Sequence, residues 1–298
     1  MSSPHGKATS PEHRLGICTL LAYAMRVNNL LEKLGQLVTE VAEKEIAPRY
    51  KRLTESDFFF KPTLTDPDDL ATSADRAAEA VLSQHLCALL PGSVVVGEEA
   101  VSEKPEIMRA LHSEAPVWLI DPVDGTKNFA CGSGPFGSMV ALVRHDEILL
   151  SAIYMVREKE LYLAERGGGA TGNGVRLQSS AADGSELRGT LYQKFLTSAE
   201  RDKLNLEPPL CEFLPVPMCA AFEYPRVARG ESDFAVFCRL YPWDHAPGAL
   251  LLREAGGIAR QFEGKEYSPL DEFALLLIAP NEARWQIVRE RLARQEYP

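Results

Sequence analysis

Trp118-Leu119-Ile120-Asp121-Pro122-Val123-Asp124-Gly125-Thr126 carries an apolar strand into two carboxylates three residues apart and stops it at a glycine. A buried strand has no packing use for that ending. Pro122 lacks a backbone donor and fixes its own φ, while Gly125 permits a tight turn that leaves the amides of Gly125 and Thr126 free to face an anion. Carboxylate oxygens beside such amides suit hard cations together with a phosphate, and a backbone carbonyl between the two acids adds a further oxygen donor. Asp, Pro and Gly are also ordinary turn residues, so this stretch alone equally describes a turn closing a strand.

Two flanking segments repeat the pattern of acids at the ends of apolar elements. Upstream, Val96-Gly97-Glu98-Glu99 ends a strand expected over 93–96; downstream, Trp243-Asp244-His245-Ala246-Pro247-Gly248 precedes Glu254-Ala255-Gly256-Gly257. A further match is Asp69-Leu70-Ala71-Thr72-Ser73-Ala74-Asp75. In order and spacing these segments resemble the inositol monophosphatase family of magnesium-dependent, lithium-sensitive phosphatases, and the resemblance runs from Val27 to Arg294.

That resemblance implies an α/β (α+β) fold, a layered α/β/α/β/α sandwich of the inositol monophosphatase/fructose-bisphosphatase type with an antiparallel first sheet and a mixed second one. It implies two or three Mg2+ ions, with Mn2+ as a substitute. Glu98, Asp121 and the Val123 carbonyl would hold the first, Asp121, Asp124 and Asp244 the second, and Glu98 with Asp75 a third through water. A water oriented by Thr126 with Glu98 or Asp75 would attack phosphorus in line, and Asp124, Gly125, Thr126, Ala220 and Asp244 would contact the substrate. A homodimer is the family's expected assembly. Independently of the resemblance, all candidate ligands are oxygens and no His or Cys stands at metal spacing, which favours magnesium over zinc or copper.

The 298 residues, 45% hydrophobic, suffice for a sizeable core in one large or two smaller domains. A formal net charge of −10 disfavours a nucleic-acid polymer as partner. A small phosphorylated metabolite still fits once cations reverse the local field. Six cysteines without a Cys-x-x-Cys pair read as thiols of a reducing cytoplasm, and Leu15 to Met25 is too short for a membrane span. Residues 1–24 read as a flexible N-terminal extension with Met25 as an alternative start.

Apolar residues at helical spacing predict a helix over 27–47, stopped by Pro48, and another from Ser73 to Pro91 with Asp75 in its first turn. Strands are expected over 93–96, 117–120, 138–144, 148–156 and 161–164, with short reversals implying antiparallel pairing. Gly167-Gly168-Gly169 reads as a flexible hairpin connection. After a soft boundary at 184, between an N-terminal α+β metal-binding domain (25–184) and a C-terminal α/β domain (185–298), strands alternate with helices. The expected elements are strands 189–193, 213–218, 233–237, 258–262 and 274–279 and helices 198–204, 221–229, 246–255 and 282–294.

Substrate choice departs from the family's pattern. Inositol-specific members place an acid seven residues before the Asp of the Trp-Asp motif, and that position is Phe237 here. Arg239 lies two residues later and supplies charge from another direction. The first substrate label is an inositol-1-phosphate-like monoester. The alternatives are a 3'(2'),5'-bisphosphate nucleotidase, since Asp124-Gly125-Thr126-Lys127 resembles that branch, a histidinol phosphatase, or a non-catalytic, transcription-associated protein-binding module. Asp244 alone also reads as a helix N-cap, and His245 as a hydrogen-bonding neighbour.

Overall fold

The structure, a computed structural model, describes residues 30–61, 69–180, 186–205, 211–271 and 274–294. The extension expected over 1–24, and the residue at the soft boundary, 184, lie outside them. The first helix, α1, is described from residue 30 to 41; it continues as a π turn (Ala42–Ile46) and a 3-10 turn (Ala47–Arg49) that contains Pro48, the expected stop.

A short antiparallel ribbon of β1 (Phe58–Phe60) and β2 (Leu70–Thr72) leads into α2 (Ser73–Leu89). Then follow β3 (Val94–Gly97), α3 (Glu98–Glu103), β4 (Val117–Asp124), α4 (Thr126–Ala130), β5 (Gly137–Arg144), β6 (Glu147–Met155), β7 (Glu160–Glu165), β8 (Gly169–Gly172) and β9 (Val175–Leu177). Strands β3 to β9 form one seven-stranded sheet in chain order. Pairing is antiparallel from β4 onward, but β3 runs parallel to β4. The reason is the connection: α3 and the 3-10 stretch Pro105–His112 make a crossover, which a tight reversal would not.

The second sheet holds β10 (Arg188–Leu191), β11 (Glu212–Phe213), β12 (Phe234–Phe237), β13 (Ile258–Gln261) and β14 (Leu276–Ala279) in the order β11-β10-β12-β14-β13. It is mixed: β10 is parallel to β11 and β12, while β14 is antiparallel to β12 and β13. Its helices are α5 (Ser198–Lys203), α6 (Ala220–Ala228), α7 (Pro242–Glu254) and α8 (Glu282–Leu292). The expected strand over 213–218 pairs only at Glu212 and Phe213, because Pro215 and Pro217 withhold the donors a longer ladder needs.

Three apolar clusters define the layers. One joins α1 and α2 to the outer face of the first sheet through Leu34, Val38, Leu82, Trp118 and Ile120. A second seals α8 against the outer face of the other sheet through Trp285, Val288 and Leu277. The largest lies between the sheets, where α6 and α7 contribute Tyr224, Val227, Leu250 and Leu251. Helix α7 is apolar all round because both its sides face a sheet. The result is the α/β/α/β/α sandwich. Among the described residues no helix is long and apolar enough to cross a membrane.

Two local details differ from expectation. Helix α7 starts at Pro242 rather than Ala246, with Tyr241 at the N-cap, so Asp244 sits in the first turn and does not cap it. The Gly167–Gly169 hairpin is fastened: the amides of Gly167 and Gly169 donate to the Glu254 carboxylate at 2.7 and 2.8 Å.

The approach of α6 to α7 depends on Gly248, where an added Cβ would lie 2.0 Å from the Tyr224 ring. Tyr224 cannot swing aside without losing its 3.0 Å hydrogen bond to His245. Gly248→Ala is expected to destabilise the fold by about 2 kcal/mol in urea unfolding; an unchanged midpoint would show that the helices have room to move.

Candidate active site

Strand β4 is buried along its whole length, since helices cover both faces of its sheet. Trp118 and Ile120 join the outer core, Val117 and Leu119 the central one, and alternation carries Asp121 toward the central layer. Pairing with β5 then slips: Asp121 stands opposite Met139, yet Asp124 stands opposite Gly137, so one extra residue bulges on β4. Gly125 follows with φ 83°, and a Cβ there would come within 2.8 Å of the Pro135 carbonyl. Bulge and glycine together bring both acids to the strand's end in a compact corner.

Other elements bring further residues to this corner. Asp75 lies in the first turn of α2, Glu98 opens α3, Thr126 opens α4, Ala220 opens α6 and Asp244 lies in the first turn of α7. Asp75 closes a capping box, with its Oδ2 accepting from the Thr72 amide at 2.8 Å. Its Oδ1 faces the Thr126 hydroxyl at 3.2 Å, and that hydroxyl also lies 2.9 Å from the Val123 carbonyl. Asp124 Oδ2 accepts from the Ala221 amide at 2.6 Å. Asp124, Ala220 and Asp244 line a common cavity of ≈ 80 Å³.

The acids hold one another in an ionisation-resistant conflict. Burial, then the charges of Glu98, Asp124, Asp244 and Asp75, push the Asp121 carboxyl well above the usual carboxylate range. Burial followed by Asp124 and Glu98 does the same to Asp244, against a lowering influence from Arg239. Asp124 is pushed up to about 6 and Asp75 to about 7, in each case chiefly by desolvation. Asp121 Oδ1 is buried and has no hydrogen-bond partner. Five acids therefore share one low-dielectric region, an arrangement that divalent cations relieve.

Among the described residues no group of three or more His, Cys, Asp or Glu side chains stands in an arrangement that could hold a metal ion. Glu98 instead pairs with Lys61, whose Nζ lies 2.8 Å from Glu98 Oε1 and 2.6 Å from Glu99 Oε1. Burial would depress the Lys61 pKa, but the two carboxylates outweigh it and raise it. The donor set nonetheless fits magnesium: carboxylate and carbonyl oxygens only, one of them buried and unpartnered.

Two contributors, Lys61 and Glu79, are invisible to local sequence reading. Lys61 comes from a polar loop with no motif. Glu79, on α2, accepts from the Glu99 and Ala100 amides, both at 2.8 Å, and so caps α3 and aims Glu98. Glu99 is buried. His245 is a structural neighbour: its Nε2 donates to the Arg239 carbonyl at 2.9 Å, so Nδ1 must accept from Tyr224 at 3.0 Å. Burial first of all lowers its pKa to about 4, which keeps the ring neutral. Only the helical spacing of Glu79 after Asp75, one turn on the same face, offered any signal in the chain.

A mixed α/β sandwich with acids from four separate elements at one corner defines a phosphatase-type scaffold. The inositol monophosphatase family matches residues 23–296, and the chain belongs to that family. It is 29% identical over 258 residues to the inositol-1-monophosphatase of Bacillus subtilis, covering 82% of this chain and 92% of that protein. It is 32% identical over 204 residues to the Nus factor SuhB of Escherichia coli, covering 66% and 73% respectively. The inositol monophosphatase structure of Thermotoga maritima superposes with a TM-score of 0.64 at 24% identity, over 92% of this chain and 98% of that one.

Beneath the corner, Glu223 on α6 is wholly buried, and desolvation lifts its pKa to about 7, against lowering by Thr190 and by Arg226 at 3.8 Å. Its folded pKa exceeds the unfolded one, so the native state holds the extra proton between pH 4.5 and 7 and stability falls as pH rises through that window. Glu223→Gln should remove that slope, gaining about 3 kcal/mol over wild type at pH 8 relative to pH 4. Urea midpoints at both pH values read the difference, and parallel profiles would contradict the assignment.

Proposed function

We propose that this protein hydrolyses phosphate monoesters of small metabolites with the help of magnesium. The observation that carries the reading is Asp121 Oδ1, buried without a partner in the combined field of Glu98, Asp124, Asp244 and Asp75. Membership of a phosphatase family supports it. Asp121, Asp124, Asp244, Glu98 and the Val123 carbonyl would hold the ions, and Mn2+ satisfies the same oxygen donors. Bound magnesium supplies positive charge that polarises the phosphoryl oxygens and the leaving alkoxide.

The remaining work falls to the chain. The Thr126 hydroxyl directs its hydrogen toward Asp75 and Val123, leaving its lone pairs to accept from an attacking water. Asp75 or Glu98 takes the proton that the water releases. The Ala221 amide fixes Asp124, while Gly125, Thr126 and Ala220 surround the place of the phosphate. No Ser, Cys or His nucleophile is required.

An inositol-1-phosphate-like ester is the first substrate label, with bisphosphate nucleotides and histidinol phosphate as alternatives. Phe237 lines the cavity and stacks on Tyr224 at 5.7 Å where inositol-specific relatives would offer an acid, which leaves polyol hydroxyls without an acceptor there. The relative named Nus factor SuhB motivates a second reading, a transcription-associated binding module. Five acids gathered at one corner, with Asp75, Asp121 and Asp124 buried at an electrostatic cost, argue against that role alone.

Asp121→Asn should lower phosphate release about a thousandfold while preserving the circular dichroism spectrum. Turnover close to wild type in that variant contradicts the mechanism. A wild-type chain that releases no phosphate from any small monoester, yet co-purifies with a protein partner, favours the binding module.

A further inference from the structure

Arg239 stands at the wall shared by two cavities. The smaller, ≈ 80 Å³, contains Asp124, Ala220 and Asp244; the larger, ≈ 410 Å³, extends past Thr197, Lys203 and Gln261. Phe195, Cys238 and Arg239 belong to both. A molecule with its ester at the acids therefore passes Arg239 before its remainder reaches the wider space.

The guanidinium is rigidly mounted. It lies 4.3 Å from the Phe195 ring centre and 4.8 Å from that of Tyr241, and Tyr241 is itself stacked on Trp243 at 5.2 Å. The backbone carbonyl of Arg239 is held by neutral His245, which Tyr224 holds in turn. Both aromatic faces fix the plane but satisfy none of its donors.

One of those donors lacks an acceptor. Nη1 of Arg239 is buried with no hydrogen-bond partner, and so is the Tyr192 hydroxyl, which lines the same small cavity. The acidic side chains facing the larger cavity are engaged elsewhere: Glu263 pairs with Lys203 at 3.0 Å, and Glu200 accepts from the Thr197 amide at 2.8 Å and its hydroxyl at 2.7 Å. Asp244 feels the Arg239 charge without an ion pair between them. A buried guanidinium nitrogen without an acceptor is costly, and a site that maintains one is built for an anion brought from outside. Beside it, Phe195, Met218 and Phe237 add apolar surface to the cavity that Asp124, Asp244 and Tyr192 also line.

We propose that Arg239 reads a second anionic group on the substrate, so that preferred substrates are phosphate monoesters carrying a further phosphate or carboxylate beyond the scissile ester. This rests on the phosphatase reading above and names its substrate class. Arg239 acts as a specificity residue: its planar fork matches either oxyanion in a bidentate fashion, which a polyol cannot supply.

Two matched pairs test it: fructose 1,6-bisphosphate with fructose 1-phosphate, and 3-phosphoglycerate with glycerol 3-phosphate. The readouts are kcat/KM with magnesium and equilibrium binding followed by tryptophan fluorescence, in wild type, Arg239→Gln and Arg239→Lys. Wild type should prefer the doubly anionic member, and Arg239→Gln should shrink that preference about 30-fold in both readouts, with Arg239→Lys between them. An effect confined to the first pair identifies the second anion as phosphate; one confined to the second pair identifies it as carboxylate. If the esters are hydrolysed but the preference is the same in all three proteins, this inference falls and the phosphatase reading stands. If nothing is hydrolysed while binding still discriminates through Arg239, the phosphatase reading falls and the anion site stands.

Discussion

The constraint on which the site depends is mutual repulsion among carboxylates confined where water cannot screen them. Asp121, Asp124 and Asp244 each resist ionisation through burial and the charge of neighbouring carboxylates, Glu98 acting on all three. A fold selected for stability alone would replace such a cluster with apolar side chains. This one fixes it by three devices: a bulge at the end of β4, a left-handed glycine after it, and helix starts that deliver Asp75, Glu98 and Asp244 from separate parts of the chain.

The surrounding polar network restrains these groups without neutralising them. Glu79 caps α3 and so orients Glu98, the Ala221 amide orients Asp124, and Thr72 orients Asp75. Each contact leaves at least one carboxylate oxygen for another use. Lys61 is the exception in kind, an ammonium placed directly on Glu98. Its positive charge meets the same electrostatic demand that a cation would, which is why it is held there despite burial. On the opposite side of the pocket, His245 and two aromatic rings hold Arg239 in a fixed attitude, so the site presents acids at one end and a cation at the other.

Much of this was legible in the chain because it is local. The run Val117 to Asp124 announces a strand with an unsuitable ending, and Thr72 with Asp75 announces a helix start, since strand period and capping chemistry act over a few residues. What escaped is long-range. Nothing near Lys61 tells of Glu98, thirty-seven positions away, and nothing near Glu79 tells of the Glu99 amide. Helix α7 starts at Pro242, four residues before the expected 246, because a proline is tolerated in the first turn, where its missing donor has no partner to lose. The parallel pairing of β3 with β4 was hidden by the connection, whose helical turns look like a loop until they are seen to carry the chain across. Arg239 was visible as a charge, but its lack of an acceptor is a property of the folded surroundings alone.

Anomalous diffraction from crystals soaked in manganese addresses the central claim most directly. The account predicts two peaks at the end of β4, with Asp121 contributing an oxygen to both at about 2.1–2.3 Å and with Asp124, Asp244, Glu98 and the Val123 carbonyl completing the coordination. Ions found only elsewhere, or none within reach of Asp121 while Lys61 stays on Glu98, would contradict it.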